Sequence, residues 1–191
     1  LRIMKEMGAN AIRTSHNPPA PELVALCDRM GLMMQLEFVD SWHKGKRKND
    51  YNILFDDWNE ADMRSLVRHY RNHPSVIMWS IGNEVDYPND PYSHPILDGD
   101  GGFTQAMYGG YQKDAPDAMR LGVIAKKLAR VVKTYDKSRP VTGGLAGVAM
   151  SNETEYPGAL DIAGYNYTEN RYESDHRKYP GRVIYGSENR H

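Results

Sequence analysis

Short apolar runs alternate with longer amphipathic stretches along the chain. The apolar runs occupy residues 10–14, 32–38, 76–81, 141–145, 162–167 and 183–186. Each is too short for a helix and apolar enough to predict a strand covered on both faces. Between them the period changes to that of a helix. Over 21–30, Leu23, Leu26, Cys27 and Met30 form one side, and Gly31 follows as a stop. Over 56–70 the stripe is Trp58, Met63, Leu66, Val67 and Tyr70, with Asp56 and Asp57 at the start, where acidic side chains suit the helix dipole. Over 119–135 it is Leu121, Ile124, Leu128, Val131 and Val132, and a shorter helix within 174–179 closes at Pro180.

Strand, helix and strand in repetition predict right-handed βαβ units, a parallel sheet and the α/β class, in one domain over residues 1–191. Six strands fit either an open doubly wound sheet or a β/α barrel, and the periodicity leaves both open. No glycine-rich phosphate loop joins a strand to a helix. Gly99-Asp100-Gly101-Gly102 lies instead within a long aperiodic stretch, 85–114, that follows the strand carrying Glu84. A loop of that length reads as a site wall or as a surface insertion. The polar ends of several strands favour the barrel, which gathers its chemistry at strand C-termini.

A net charge of −1 gives no electrostatic reason to expect a nucleic-acid partner. The basic run at 44–48 reads as a solvated loop. Cys27 is alone, which excludes an internal disulfide and a thiolate metal site and suits a buried, inert thiol. No apolar run approaches the roughly 20 residues of a membrane span, so no membrane partner is expected. Residue 1 is not Met and opens into a helical pattern rather than a signal peptide, as in a segment of a longer chain.

The strand from Val76 ends on Asn83 and Glu84, an amide and a carboxylate where a barrel presents its ligand face. An apolar wall including Trp79 would raise the pKa of Glu84, as a general acid requires. A bare Asn-Glu pair, taken alone, reads first as a salt-bridging strand end. The last strand ends on a second carboxylate, Glu188, with Tyr185 earlier on the strand and expected on the same face. Two carboxylates on different strand ends suit double displacement at a sugar, in which they stand roughly 5–5.5 Å apart. Arg13 and His16 crowd another strand end, before Pro18 and Pro19 redirect the chain. Arg13 is suited to fixing a carboxylate, and His16 to binding a hydroxyl or to a structural role.

Three strings make a resemblance specific: Asn10-Ala11-Ile12-Arg13-Thr14-Ser15-His16-Asn17-Pro18; Leu26-Cys27-Asp28-Arg29-Met30-Gly31-Leu32; and Asn72-His73-Pro74-Ser75 continuing through Glu84. In this order they resemble glycoside hydrolase family 2, most closely its β-galactosidase branch. The resemblance implies a (β/α)₈ TIM barrel, present here as about strands 2 to 7, without the first and eighth strands or the β-sandwich domains that usually precede it. It implies a retaining exo-β-glycosidase acting on a carbohydrate. Glu84 takes the acid/base place, Glu188 the nucleophile place, Asn83 the sugar 2-hydroxyl and Arg13 the orientation of the nucleophile. His16, Tyr167 and His191 fall where the sugar pocket is lined, although Asn189 and Arg190 depart from the family pattern. Glu37 and Tyr185 stand behind these residues.

Leu36 occupies a place where the family usually has Asp, and the glutamate that supports magnesium in β-galactosidases is lacking, which speaks against a bound magnesium without excluding it; the sequence requires no cofactor. β-Glucuronidase and β-mannosidase are the nearest alternatives in the same fold. A non-catalytic carbohydrate-binding fragment and a metal-dependent hydrolase using His16, His43 and Glu37 are alternatives of other classes. Open sheet edges at the first and last strands predict self-association.

Overall fold

In the computed structural model, which describes residues 1–86, 92–98 and 110–190, six strands lie side by side in sequence order. They are β1 (Ala11–Arg13), β2 (Met33–Glu37), β3 (Val76–Asn83), β4 (Val141–Leu145), β5 (Ile162–Asn166) and β6 (Ile184–Glu188). All five neighbouring pairs are parallel. A doubly wound sheet reverses its strand order at a switch point. This sheet does not, and it is the wall of a partial β/α barrel.

The sheet also curls. The Tyr185 hydroxyl on β6 donates to Gln35 Oε1 on β2 at 2.7 Å, across the inner face. Arg13 on β1 likewise reaches Glu188 on β6.

Helices Pro21–Met30, Asn52–Tyr70, Met119–Tyr135 and Tyr172–Lys178 cover the outer face, and a short helix, Val148–Ser151, follows β4. The core between layers includes Val24, Cys27, Met63, Val67, Leu121, Leu128 and Val132 from the helices, and Met34, Leu36, Trp79, Ile81 and Val141 from the strands. Cys27 is fully buried, which raises its thiol pKa.

The second of these helices begins at Asn52, four residues before the sequence pattern suggests, because Phe55 extends its buried stripe through Asn59, Met63, Leu66, Val67 and Tyr70. Trp58 lies off that stripe and is 53% exposed, contrary to the expectation that it packs inward. Asn59 takes the inward position, donating to the Phe55 carbonyl. In the helix 21–30, Val24 rather than Leu26 is buried beside Cys27.

Two of the sequence strings meet here. The Asp28 carboxylate lies 2.6 Å from His73 Nδ1 and accepts the Ser75 backbone N–H at 3.0 Å. The Tyr70 hydroxyl donates to the Pro19 carbonyl at 2.9 Å. These bonds fix the start of β3, and hence the register that delivers Glu84 to the opposite end.

Of the long stretch after Glu84, residues 87–91 and 99–109, with Gly99-Asp100-Gly101-Gly102, lie outside the described residues. The remainder includes the 3₁₀ turn Pro95–Asp98 and a bridge from Ser93 to Asp117. No helix among the described residues is long and apolar enough to cross a membrane.

Candidate active site

The C-terminal ends of five strands bring polar side chains together. Arg13 leaves β1 and uses its whole fork. Nε donates to Glu37 Oε2 at 2.6 Å and Nη2 to Glu37 Oε1 at 2.9 Å. Nη1 donates to Glu188 Oε1 at 2.6 Å, and Nη2 to Asn83 Oδ1 at 2.7 Å. Glu37, at the end of β2, is completely buried and also faces His16 Nδ1 at 2.8 Å. That leaves His16 Nε2 directed at Glu188 Oε1, 3.6 Å away. Two carboxylates beside one guanidinium hold the Arg13 pKa above its ordinary value, although burial acts the other way.

Asn83 joins this half of the cluster to the other. Its Nδ2 donates to Asp40 Oδ1 at 2.9 Å, and its Oδ1 also accepts from Asn166 Nδ2 at 3.2 Å. Asn166 Nδ2 lies 3.1 Å from Glu84 Oε1. A path of adjacent side chains therefore runs Glu188, Arg13, Asn83, Asn166, Glu84. The Glu188 charge is near enough to help raise the pKa of Glu84, behind burial.

Local backbone irregularities aim these groups. The pairing of β3 with β4 shifts between Ser80 and Asn83. The pairing of β5 with β6 shifts between Tyr165 and Asn166. Glu188 comes three positions after Tyr185, an offset that strict alternation would send to opposite faces. Simple alternation therefore gives no shared face, and it is the second shift that turns both inward.

Glu84 and Tyr167 have φ of 45° and 54°, the left-handed region, which costs a non-glycine residue on the order of 1 kcal/mol or more. Both are held there by backbone bonds, Glu84 N–H to the Gly144 carbonyl at 2.7 Å and Tyr167 N–H to the Glu188 carbonyl at 2.8 Å. At Gly144 a Cβ would stand 2.9 Å from Asn83 Oδ1 and 3.0 Å from Arg13 Nη2, within the cluster itself. Only glycine leaves that space.

Burial raises the pKa of Glu84, the Asn166 hydrogen bond opposes it, and the nearby Glu188 charge adds to it. The apolar wall differs from the expected one. Trp79 lies five residues back along the strand, roughly 16 Å away, and its indole N–H donates to Asp136 Oδ2 at 2.9 Å in the outer layer. The Tyr167 hydroxyl is pushed up to about 12 by its hydrogen bond to Glu188 and by burial. It is 44% exposed at the mouth of the cluster.

His191 lies outside the described residues. His43, the other candidate ligand, is not gathered with His16 and Glu37; it sits 3.1 Å from Asp56 and 3.2 Å from Arg120. Burial lowers its pKa. The described residues of this cluster do not fit a bound magnesium. Leu36 is fully buried on the face of β2 opposite Glu37, and Glu37 is already taken by Arg13 and His16. No group of three or more His, Cys, Asp or Glu side chains among the described residues is placed to hold a cation.

Four members of the cluster escape the sequence reading. Asp40 and Asn166 sit at polar strand ends, a signal that was present. Lys46 gave none. In a run that reads as a solvated loop, its ammonium instead turns inward, donating to Asp40 Oδ1 and to the Asn83 carbonyl, each at 2.8 Å. There it bridges the part-exposed Asp40 carboxylate and the backbone carbonyl of buried Asn83. Asp86 is fully buried and accepts from Ser151 Oγ at 2.6 Å and the Ala146 N–H at 3.0 Å, tying the turn after Glu84 to the end of β4. Burial raises its pKa against those two bonds.

Comparison with known proteins places this geometry. Residues 1–156 match the family model described as the TIM barrel domain of glycosyl hydrolases family 2. A β-galactosidase of Bacteroides ovatus is 43% identical over 176 residues, 87% of this chain and 20% of that protein. A putative β-glucuronidase of Formosa agariphila is 46% identical over 86 residues, 44% of this chain and 8% of that protein. A solved family 2 glycosyl hydrolase from Bacteroides cellulosilyticus superposes with a TM-score of 0.75 at 38% identity, covering 97% of this chain and 20% of the other. A Bacteroides uniformis β-glucuronidase does so with a TM-score of 0.70 at 27% identity, covering 98% and 21%. The chain thus spans about a fifth of the length of such relatives. With six parallel strands in barrel order and a family match over most of its length, the chain belongs to glycosyl hydrolase family 2.

Proposed function

We propose that this chain carries the catalytic pair of a retaining exo-β-glycosidase of the β-galactosidase type. The observation that carries the reading is the continuous path from Glu188 through Arg13, Asn83 and Asn166 to Glu84, two carboxyls from different strand ends held on one inner face. In this reading the ionised Glu188, paired with Arg13, attacks the anomeric carbon and forms a glycosyl ester. Glu84, kept protonated to higher pH by burial, gives its proton to the departing oxygen. It then removes a proton from the water that cleaves the ester. The Tyr167 hydroxyl and His16 line the approach to Glu188.

The donors that remain support a sugar substrate. Both lone-pair positions of Asn83 Oδ1 are occupied, and one Nδ2 proton goes to Asp40, which leaves one N–H for a sugar hydroxyl. Among the described residues, the cations touching this cluster are Arg13 and Lys46, and each already has a carboxylate partner. Residues 87–91 and 99–109 contain no Lys or Arg. Among the described residues no spare cation stands ready for a uronate, and the choice of a galactoside over a glucuronide rests on the resemblance to the β-galactosidase branch.

The test is a panel of aryl galactosides, glucuronides and mannosides on the full-length protein. Galactosides should be cleaved best, with the anomeric configuration retained in the first-formed sugar. Glu188→Gln should abolish turnover, while Glu84→Gln should spare substrates with good leaving groups in the first step. Inversion, or equal loss on every substrate with Glu84→Gln, would sink the proposed roles.

A further inference from the structure

Asn166 ends β5 and is 1% exposed. Its amide is engaged at both ends. Oδ1 accepts the Ser187 hydroxyl at 2.5 Å, and Nδ2 faces Glu84 Oε1 at 3.1 Å and Asn83 Oδ1 at 3.2 Å. The neighbours settle which end is which. Asn83 Oδ1 must be the oxygen, since it accepts from Arg13 while Asn83 Nδ2 donates to Asp40. The Asn166 atom facing it must then be the nitrogen, because a flipped amide would set oxygen against two oxygens. One amide proton goes to Glu84 and the other to Asn83.

We infer that Asn166 is a positioning residue for Glu84, claiming Oε1 with its amide so that Oε2 is the oxygen that gives and regains the catalytic proton. This rests on the acid/base reading of Glu84 above. A protonated carboxyl keeps one oxygen as a carbonyl-type acceptor, and the fixed N–H at Oε1 selects that oxygen. Among the described residues Oε2 accepts no hydrogen bond. The same N–H serves the ionised carboxylate after proton transfer, so the two steps need no reorganisation of this contact. A donor to a carboxylate favours the ionised form, and here it opposes the effect of burial. Ser187 acts one bond further back. It directly precedes Glu188 and anchors the Asn166 amide, which ties the aim of the acid to the strand of the nucleophile.

The experiment is the pH dependence of kcat/KM of the full-length protein on an aryl galactoside with a poor leaving group. Asn166→Ala removes the larger of the two opposing effects, leaving only the Lys46 charge against burial and the Glu188 and Asp86 charges. The alkaline limb, which reports loss of the Glu84 proton, should therefore move up by on the order of one pH unit, with the acid limb in place. Ser187→Ala keeps the amide but loses its anchor. It should shift the same limb in the same direction by less, and it serves if Asn166→Ala fails to fold. Reduced kcat with an unmoved alkaline limb in the folded variants overturns the inference and leaves Asn166 a packing residue. Glu84→Gln separates the two levels. If it removes the alkaline limb and spares good leaving groups while both other variants leave the limb unmoved, the Asn166 assignment alone fails. If it loses activity equally on all substrates, the acid/base reading fails with it.

Discussion

The Arg13 guanidinium and the Glu188 carboxylate lie 2.6 Å apart although they belong to the first and last strands of the sheet. Parallel strands hydrogen-bonded only to neighbours do not bring their outer members together unless the sheet curls. The same guanidinium holds Glu37 through two nitrogens and Asn83 through one. One planar fork thus couples three strand ends, and a change at Arg13 reaches Glu188 and, through Asn83 and Asn166, Glu84.

Arg13→Lys tests that coupling. Lysine keeps the charge but has no planar fork to meet Glu37 and Glu188 together. Displacing a reacting group by about an ångström costs on the order of a hundredfold in rate, so kcat/KM should fall by about that factor. The buried Glu37 loses directed donors, and stability should drop by about 1–3 kcal/mol. Steady-state kinetics and thermal melts of the full-length variant give both numbers. Near-native kcat/KM would mean that Glu188 is aimed by something other than Arg13.

Glu84 carries a stability signature independent of turnover. Burial raises its folded pKa above its unfolded value, so the folded state binds the proton more tightly. Its contribution to stability is fully present below the ordinary carboxylate range and is lost as pH rises through the raised value. Glu84→Gln removes that loss while its side-chain oxygen still accepts from Asn166. The variant should therefore melt higher than the native protein at neutral pH, with the difference shrinking in acid. Melting curves between pH 4 and 8 read this directly, and a lower melting temperature at neutral pH would contradict the burial argument.

Much of the barrel was legible because its four inner strands are largely buried on both faces and read as apolar runs. Glu84 and Glu188 stand out in the sequence because each is a charge that ends such a run, and the strings that surround Glu84 set it apart from a salt-bridging strand end. The sequence strings around Asp28 and His73 were visible, but not that they meet. That contact depends on how the helix 21–30 lies over the start of β3. Lys46 was hidden for the same reason, since a lysine in a basic loop looks solvated until the fold supplies Asp40 and the Asn83 carbonyl. Trp58 misled because a large aromatic near a helical stripe is counted as core, whereas Phe55 and Asn59 set the buried face one step away. The shared face of Tyr185 and Glu188 depends on a register shift that no local pattern encodes.

The outermost strands predict how the 191-residue chain behaves alone. β1 and β6 each have one neighbour in the sheet, so each leaves a row of backbone donors and acceptors without a strand partner. Such edges template pairing with another chain. Apolar side chains near them add to the drive: Ile3 is 66% exposed and Met7 75%, both ahead of β1, and Val183, just before β6, is 55% exposed. Burying such groups on association removes apolar surface from water at roughly 25 cal/mol per Å². The isolated chain should therefore self-associate through these edges. Sedimentation velocity at low micromolar concentration should show dimers or larger species, and a lysine placed at Ala11 or Val183 should shift the population towards monomer. A cooperatively melting monomer at those concentrations, unchanged by either lysine, would mean that the edges are covered by a device other than strand pairing.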